Sequence, residues 1–434
     1  MNKRVLRLAV PNIISNITVP LLGMADIAVV GHISDASNLI GAIAIGGMIF
    51  SFIYMTLSFL RASSAGLTAQ AFGKKDKQEV QSIFVRASFL ALLLASGIIL
   101  LQKPIEWIAF SILDGDLQVE SYALDYFKIR IWAAPATLLL YVFNGWFIGM
   151  QNAKTPMYIA VLGNIFNIGL NYFFVFFLKM QADGVAWGTV LAQYLSLLLA
   201  VFFMVRNYKD YLKSVRIRMS LQKQKILELL SLNRDLFIRS LSLIFVISFF
   251  TVSSAGISTH ILAVNSILFQ FFLFYSFFMD GFAYAAEALT GRYIGEQNRN
   301  KLKQSVKVVF LWGMVLSLPF TAIYILFPDF ILSLLTNDRF LIESSRPYLF
   351  WVSIIPILTF ASFLWDGVYT GATAVKEIRN TMLVSAFVVF VPTYYLLLPI
   401  MEIHALWLAF SLFMLSRALL MTIWYKKAIV KQIK

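Results

Sequence analysis

The sequence predicts an all-α polytopic membrane protein: twelve transmembrane helices in two six-helix bundles related by a parallel internal repeat. Three observations carry this. The 434 residues are 60% hydrophobic and only 13% charged, whereas soluble chains are about 45–50% apolar and 25% charged. Apolar runs long enough to cross a bilayer, roughly 20 residues each, recur twelve times. Two motifs in the first half reappear in the second at one shared spacing. Alternating ten-residue strands are absent, which excludes a membrane barrel.

Taken in order, the spans fall near 8–30, 38–66, 81–102, 122–148, 157–178 and 185–205, then near 235–256, 259–287, 305–327, 344–371, 379–400 and 403–425. The first begins with "MNKRVLRLAVPN", a basic start followed by a long apolar run without an A-x-A-like site. It therefore reads as a retained span rather than a signal peptide. Basic residues punctuate every second connection: Lys3, Arg4 and Arg7 before span one; Lys74, Lys75 and Lys77 after span two; Arg299, Lys301 and Lys303 after span eight. Lys376 and Arg379 follow span ten, and Lys426, Lys427, Lys431 and Lys434 close the chain, while "HISDASN" and "SSAGISTH" carry neither Lys nor Arg. The net charge of +14 is thus read as orientation by the positive-inside rule rather than as affinity for nucleic acid, with both termini in the cytoplasm of a cell-membrane protein. With no cysteine in the chain, disulfides and thiolate metal sites are excluded.

The repeat is specific. "LTAQAFG" at 67–73 returns as "LTGRYIG" at 289–295, and "NGWFIG" at 144–149 as "DGVYTG" at 366–371, both offset by 222 residues. The expected organisation is an N-terminal lobe at 1–206, a basic cytoplasmic linker with an amphipathic segment at 207–234, and a C-terminal lobe at 235–434. Two parallel six-helix repeats are a transporter design, in which the bundles rock around a site between them.

At these residues the chain resembles the multidrug and toxic compound extrusion (MATE) transporters. The resemblance is carried by "LAVPNIISNITVPLLGMADIAVVGHI", "GLTAQAFGKKD" and "NGWFIGMQNAKTPMYIAVLGNIFNIGL". "MDGFAYAAEALTGRYIG" and "LWDGVYTGATAVKEIRNTM" are similar to the DinF branch. This resemblance implies a twelve-helix, V-shaped antiporter that expels amphipathic, often cationic compounds in exchange for H⁺ or Na⁺.

Asp26 is an acid inside the first apolar run, where insertion costs about 2.5–3.5 kcal/mol; it is kept for use, or it caps a helix end. Desolvation disfavours a charged carboxyl, so such a group suits proton exchange, and the resemblance aligns Asp26 with the family's proton-coupling acid. Pro11 and Pro20 in the same span are candidate bend points, Pro11 matching the family's first-span proline. On span five, Asn164, Asn167 and Asn171 share one helical face and should look inward, as ion-site residues or as interhelical hydrogen bonds. Asn144 of span four is expected to join them. The resemblance places Asn171 where the family often has Asp, and one carboxylate beside amides suits a proton better than a hard cation. The repeat-related positions Ala386, Val389 and Thr393 are not amides, so coupling is assigned to the N-terminal bundle.

Arg61, Asp280, Glu287 and Asp366 are charged residues at membrane depth. They read either as a cross-lobe gate, Arg61 with Asp280 or Glu287, or as fixed pairs within a lobe. The 40 Phe and 15 Met supply material for a cavity suited to flat cations. Two rival classes remain. A lipid-linked oligosaccharide flippase of the same superfamily should show more cavity-facing Arg and Lys than Arg61, Arg86 and Arg417. An enzyme is disfavoured because His32, His260 and His404 are scattered and no phosphate loop occurs. The expectation is a proton-coupled exporter, monomeric, with no cofactor and no bound metal, partnered by amphipathic small molecules and membrane lipids.

Overall fold

Twelve helices among the described residues are long and apolar enough to cross a membrane. They are α1 (Asn2–Val30), α2 (Ala36–Gly73), α3 (Lys77–Leu100), α4 (Leu117–Gly149), α5 (Lys154–Phe177), α6 (Ala182–Asn207), α7 (Lys223–Ile257), α8 (Thr259–Gly295), α9 (Arg299–Leu326), α10 (Arg339–Gly371), α11 (Val375–Met401) and α12 (Ile403–Gln432). Each coincides with a span read from the sequence. The structure is a computed structural model describing residues 1–31, 36–111, 116–212, 220 and 222–433. His32, the linker stretch 213–219 and Lys434 lie outside them. No strand occurs among the described residues, as expected where the backbone must satisfy its own hydrogen bonds away from water.

The internal repeat extends to backbone detail. The connection from α2 to α3 turns through Lys75 in the left-handed region (φ 60°), and that from α8 to α9 through Gln297 (φ 51°). Asp76 then caps α3 by accepting from the Glu79 amide at 2.9 Å, and Asn298 caps α9 by accepting from the Lys301 amide at 3.0 Å. The turns after α4 and α10 likewise pass through Gln151 (φ 63°) and Thr373 (φ 54°). All these pairs are 222 residues apart.

Helix packing repeats too. A Cβ added to Gly145 would sit 2.3 Å from the Arg61 carbonyl oxygen, and one on Gly149 2.8 Å from that of Ala65. In the second half, Gly367 and Gly371 would bring a Cβ to 2.1 Å and 2.2 Å from the carbonyl oxygens of Ala283 and Glu287. The two glycine pairs of "NGWFIG" and "DGVYTG" therefore let α4 lie directly on α2, and α10 on α8; small residues permit such approach where no hydrophobic force drives association.

The chain divides into two compact units, one of Ile14–Leu230 and one of Met1–Ile13 with Ser231–Lys434. In the first unit α2 and α3 pack on α4, which packs on α6, which packs on α5; in the second, α8 and α9 pack on α10, α10 on α12, and α12 on α11. The division differs from that read in the sequence at both ends: the first turns of α1 group with the C-terminal spans, and the start of α7 with the N-terminal ones. Buried Trp146, Phe147 and Phe143 centre the core of the first unit, and Trp407, Phe250 and Phe410 that of the second. Large apolar side chains such as Leu93, Leu198, Phe202, Val388 and Leu396 are exposed, a surface suited to acyl chains rather than water.

Several spans depart from regular helix, among them α4, α5 and α11. α4 tightens to a 3₁₀ turn at Ile131–Ala133, ahead of Pro135. α5 and α11 widen to π-helix at Phe173–Phe177 and Val384–Phe390. Such segments are frequent at functional sites, and the first two adjoin the residues described next.

Candidate functional site

The sequence places a carboxylate and three amides on α1 and α5, and the first unit brings most of them together. Asn171 Nδ2 donates to Asp26 Oδ1 at 2.6 Å and also to Asn167 Oδ1 at 3.0 Å. Asn167 Nδ2 donates to Thr189 Oγ1 at 3.1 Å, and that hydroxyl donates to the Val185 carbonyl at 3.0 Å. The result is a chain of polar groups from α1 through α5 into α6. Asn167 and Asn171 are 2% and 0% exposed, while Asp26 is half-buried. A buried amide must be paired or lose about 1–3 kcal/mol; here the carboxylate and Asn167 take the Asn171 donors. Among the described residues, Asn171 Oδ1 has no hydrogen-bond partner. Close packing of α6 makes this geometry possible, since a Cβ at Gly188 would fall 2.0 Å from that oxygen.

Asn164 stands one turn away. Its Nδ2 donates to the Thr18 carbonyl of α1 at 3.0 Å, fastening α5 to α1 beside Pro20. Both Pro11 and Pro20 lie within one uninterrupted helix, so neither breaks α1. Pro20 withholds the amide that would reach Asn16, and around it the Thr18 hydroxyl donates to the Ser15 carbonyl at 2.7 Å.

Asn144 is not brought to this network. It lies fourteen positions beyond Arg130 on α4, about 21 Å along a helix axis. On α4 it is Arg130 whose charge is felt at Asp26, without a direct ion pair between them among the described residues. Its guanidinium donates to the Tyr126 hydroxyl and lies 5.2 Å from the ring centroids of both Phe50 and Tyr126. Sequence reading missed Arg130, Tyr126 and Thr189. Arg130 lies eight residues inside the span read near 122–148, and the sequence reading gives it no role. A stronger signal was the i, i+4 pair Tyr126–Arg130 ahead of Pro135.

The charged residues of the second unit form another arrangement. Asp366 Oδ2 accepts from Arg239 at 2.6 Å and from Arg417 at 2.5 Å, joining α10 to α7 and α12. Arg417 is 3% exposed and also donates to Met414 Sδ at 3.2 Å; the charge of Asp280 on α8 acts on it. Glu287 is 1% exposed on α8, where α10 crosses at Gly371. Asp366 is thus held by fixed pairs within its own unit, while Arg61 belongs to the other. Two of the three histidines have packing roles: His404 Nδ1 accepts from Trp351 Nε1 at 3.0 Å, and His260 stacks on Phe340. Among the described residues no group of three or more His, Cys, Asp and Glu side chains is placed to hold a metal ion.

Comparison with known proteins agrees with this architecture. The MatE family model matches twice, over residues 11–173 and 238–396, once per repeat. The DNA damage-inducible protein F of Escherichia coli (strain K12) is 38% identical over 426 residues, covering 98% of this chain and 92% of that one. The probable multidrug resistance protein NorM of Thermotoga maritima is 25% identical over 361 residues, 80% of this chain and 75% of its own. Among solved structures, MATE in the bent conformation superposes with TM-score 0.88 at 19% identity, covering 99% of this chain and 96% of that one. The outward-facing conformation of a multidrug resistance MATE transporter of the MOP superfamily gives 0.89 at 20%, covering 100% and 97%.

Proposed function

The chain belongs to the MatE family of membrane transporters, and on that premise we propose that it is a secondary antiporter exporting amphipathic, cationic compounds in exchange for protons. It is a multi-pass membrane protein with twelve candidate spans. The relative named as a probable multidrug resistance protein supports export of drugs. In this reading both termini face the cytoplasm, as the basic connections favour. The protein works as a monomer, since one chain supplies both bundles.

The observation that carries the choice of ion is the Asp26–Asn171–Asn167–Thr189 network. Among the described residues its hydrogen bonds involve a single carboxylate, three neutral partners and no second acid. A proton needs one such group; Na⁺ is better served by several charged or carbonyl oxygens around it. A carboxylate that accepts a strong bond from a buried amide has a defined deprotonated state. Protonation removes an acceptor charge, and the Asn171 amide must then find another arrangement. The π-segment at Phe173–Phe177 starts two residues beyond Asn171, so α5 has a ready place to change register. For strict exchange, substrate and proton must oppose each other's binding by the same coupling free energy.

The test is ethidium efflux from proteoliposomes under an imposed pH gradient or an imposed Na⁺ gradient. The proposal expects efflux under the pH gradient alone, lost in Asp26→Asn. Efflux driven only by Na⁺ overturns the choice of ion.

A further inference from the structure

Within the first unit, the start of α3 and the start of α7 enclose a cleft that the transport reading does not use. We infer that this cleft binds a membrane lipid by its headgroup, a phosphate ester carrying a primary ammonium, as in phosphatidylethanolamine. Nothing in this site depends on which ion drives transport.

The cleft has a volume of about 170 Å³ and is lined by charges of both signs: the carboxylates of Asp76 and Glu79, and the cations of Arg86 and Lys225. Arg86 is only 6% exposed. Its Nη2 donates to Glu79 Oε1 at 2.6 Å and its Nη1 to the Ser220 carbonyl at 3.5 Å, while Ser220 Oγ donates to Ser82 Oγ at 3.0 Å. The guanidinium is thus fixed in place, and its fork of five N–H donors exceeds these two bonds, so it can also hold a phosphate oxygen. Asp76 accepts from the Glu79 amide at 2.9 Å as the cap of α3 and is otherwise exposed. Lys225 also pairs with Glu228 at 3.3 Å, so negative charge at least matches positive around the cleft. A purely anionic headgroup gains little there, and a bare cation meets Arg86 and Lys225. A ligand with both signs a few bonds apart complements both pairs. The carboxylates also call for N–H donors. A quaternary ammonium has none and is recognised by aromatic rings, of which none lines the cleft among the described residues.

What makes the ligand a lipid is the face that continues from the cleft. Glu79, Ser82, Arg86, Phe89 and Leu93 follow one another at spacings of three and four along α3, and so share one side of the helix. One and two turns beyond Arg86, Phe89 and Leu93 are 49% and 58% exposed, a surface suited to acyl chains. On the other wall Leu227 and Leu230 are exposed beside Lys225. Polar partners at the helix start with apolar partners beyond them match the order in which a phospholipid presents headgroup and chains. Basic pockets between membrane helices are known headgroup sites; here two carboxylates turn such a pocket into one for a zwitterion. The repeat does not demand this cluster. At the 222-residue offset, Asp76, Glu79, Ser82 and Arg86 become Asn298, Lys301, Gln304 and Val308, so the same helix packing is made in the second half without it.

The test uses the full-length protein, delipidated in detergent and titrated with phosphatidylethanolamine, phosphatidylcholine or phosphatidylglycerol of matched acyl chains, with bound lipid counted by native mass spectrometry. Wild type should prefer phosphatidylethanolamine to either of the others by about tenfold, the worth of hydrogen bonds to charged groups. Asp76→Asn keeps the helix cap, since Asn caps as well as Asp, but removes one anion; Lys225→Gln removes one exposed cation. Each should weaken phosphatidylethanolamine binding about threefold to fivefold, the size of one exposed ion pair. The double variant should lose about tenfold or more, with phosphatidylcholine binding unmoved. O-phosphoethanolamine, the headgroup without chains, should fail to displace the lipid at equal concentration. Equal retention of all three lipids by wild type overturns the inference, and so does a preference for phosphatidylglycerol. Unchanged phosphatidylethanolamine binding in the double variant places the lipid elsewhere and overturns it equally. Displacement by O-phosphoethanolamine makes this a site for a soluble zwitterion and overturns the assignment to lipid. Failure of the proton reading looks different: efflux would not respond to a pH gradient, and the lipid count would stand.

Discussion

Asn171 Nδ2 donates to Asp26 Oδ1 at 2.6 Å, tying the fifth span to the first at the only acid read in the first apolar run. Asn171 is fully buried, so the bond forms away from water on one side. Replacing Asn171 with Leu leaves the carboxylate without its donor and Asn167 Oδ1 without its own. Each loss is worth about 1–3 kcal/mol, so proton-driven efflux should fall by one to two orders of magnitude while the protein remains folded. Unchanged initial rates in proteoliposomes would show that this bond is not part of the cycle.

Gly188 controls the same bond from α6. A Cβ there would lie 2.0 Å from Asn171 Oδ1, so Gly188→Ala should push the amide off the carboxylate and depress transport nearly as far as Asn171→Leu. Gly23→Ala is the matched control: it lies on the same helix as Asp26, with nothing within 4 Å of the added atom, and should transport normally.

Gly371 meets backbone rather than a movable side chain. Its Cβ would stand 2.2 Å from the Glu287 carbonyl oxygen, so Gly371→Ala forces α10 away from α8. Overpacking of this kind costs about 1–3 kcal/mol, read as a lower midpoint in thermal unfolding of the detergent-solubilised protein. Gly97→Ala, in open space, should leave the midpoint unchanged.

Asp366 holds two guanidinium groups. Asp366→Asn leaves Arg417 buried without its hydrogen-bonded anion, and breaking such a pair costs about 3–5 kcal/mol. Expression and thermal midpoint should both drop. Adding Arg417→Met should restore much of the loss, because burying an apolar side chain removes the uncompensated charge. A double variant less stable than the single one would contradict a structural role for this cluster.

The fold was legible because hydrocarbon imposes one rule on every span: a long apolar run must be a helix. The 222-residue repeat was equally readable in the glycine pairs 145/149 and 367/371, since close helix contact admits little else at those positions. Helical spacing put Asn164, Asn167 and Asn171 on one inward face, towards the first span or a wet cavity, and the family resemblance grouped them with Asp26. Arg130 was not legible in the same way. It lies inside the span read near 122–148 beside Asp125 and Lys128, where nothing in one dimension sets it apart from the other charges at that end of the helix. Asn144 erred in the opposite direction: an amide in an apolar run looks inward in one dimension, but its level along α4 depends on the three-dimensional stacking of spans. The exchange of helix starts between the two units leaves no compositional trace at residues 13 or 230.

The central claim, that Asp26 carries the proton exchanged for substrate, is tested most directly by proton release. Ethidium is added to the purified protein in weakly buffered detergent solution containing a pH-sensitive dye. Linkage requires that a ligand opposing proton binding displaces protons, so wild type should acidify the solution on ethidium binding, and Asp26→Asn should bind without acidification. Equal acidification by both proteins, or none by wild type at saturating ethidium, would contradict the account.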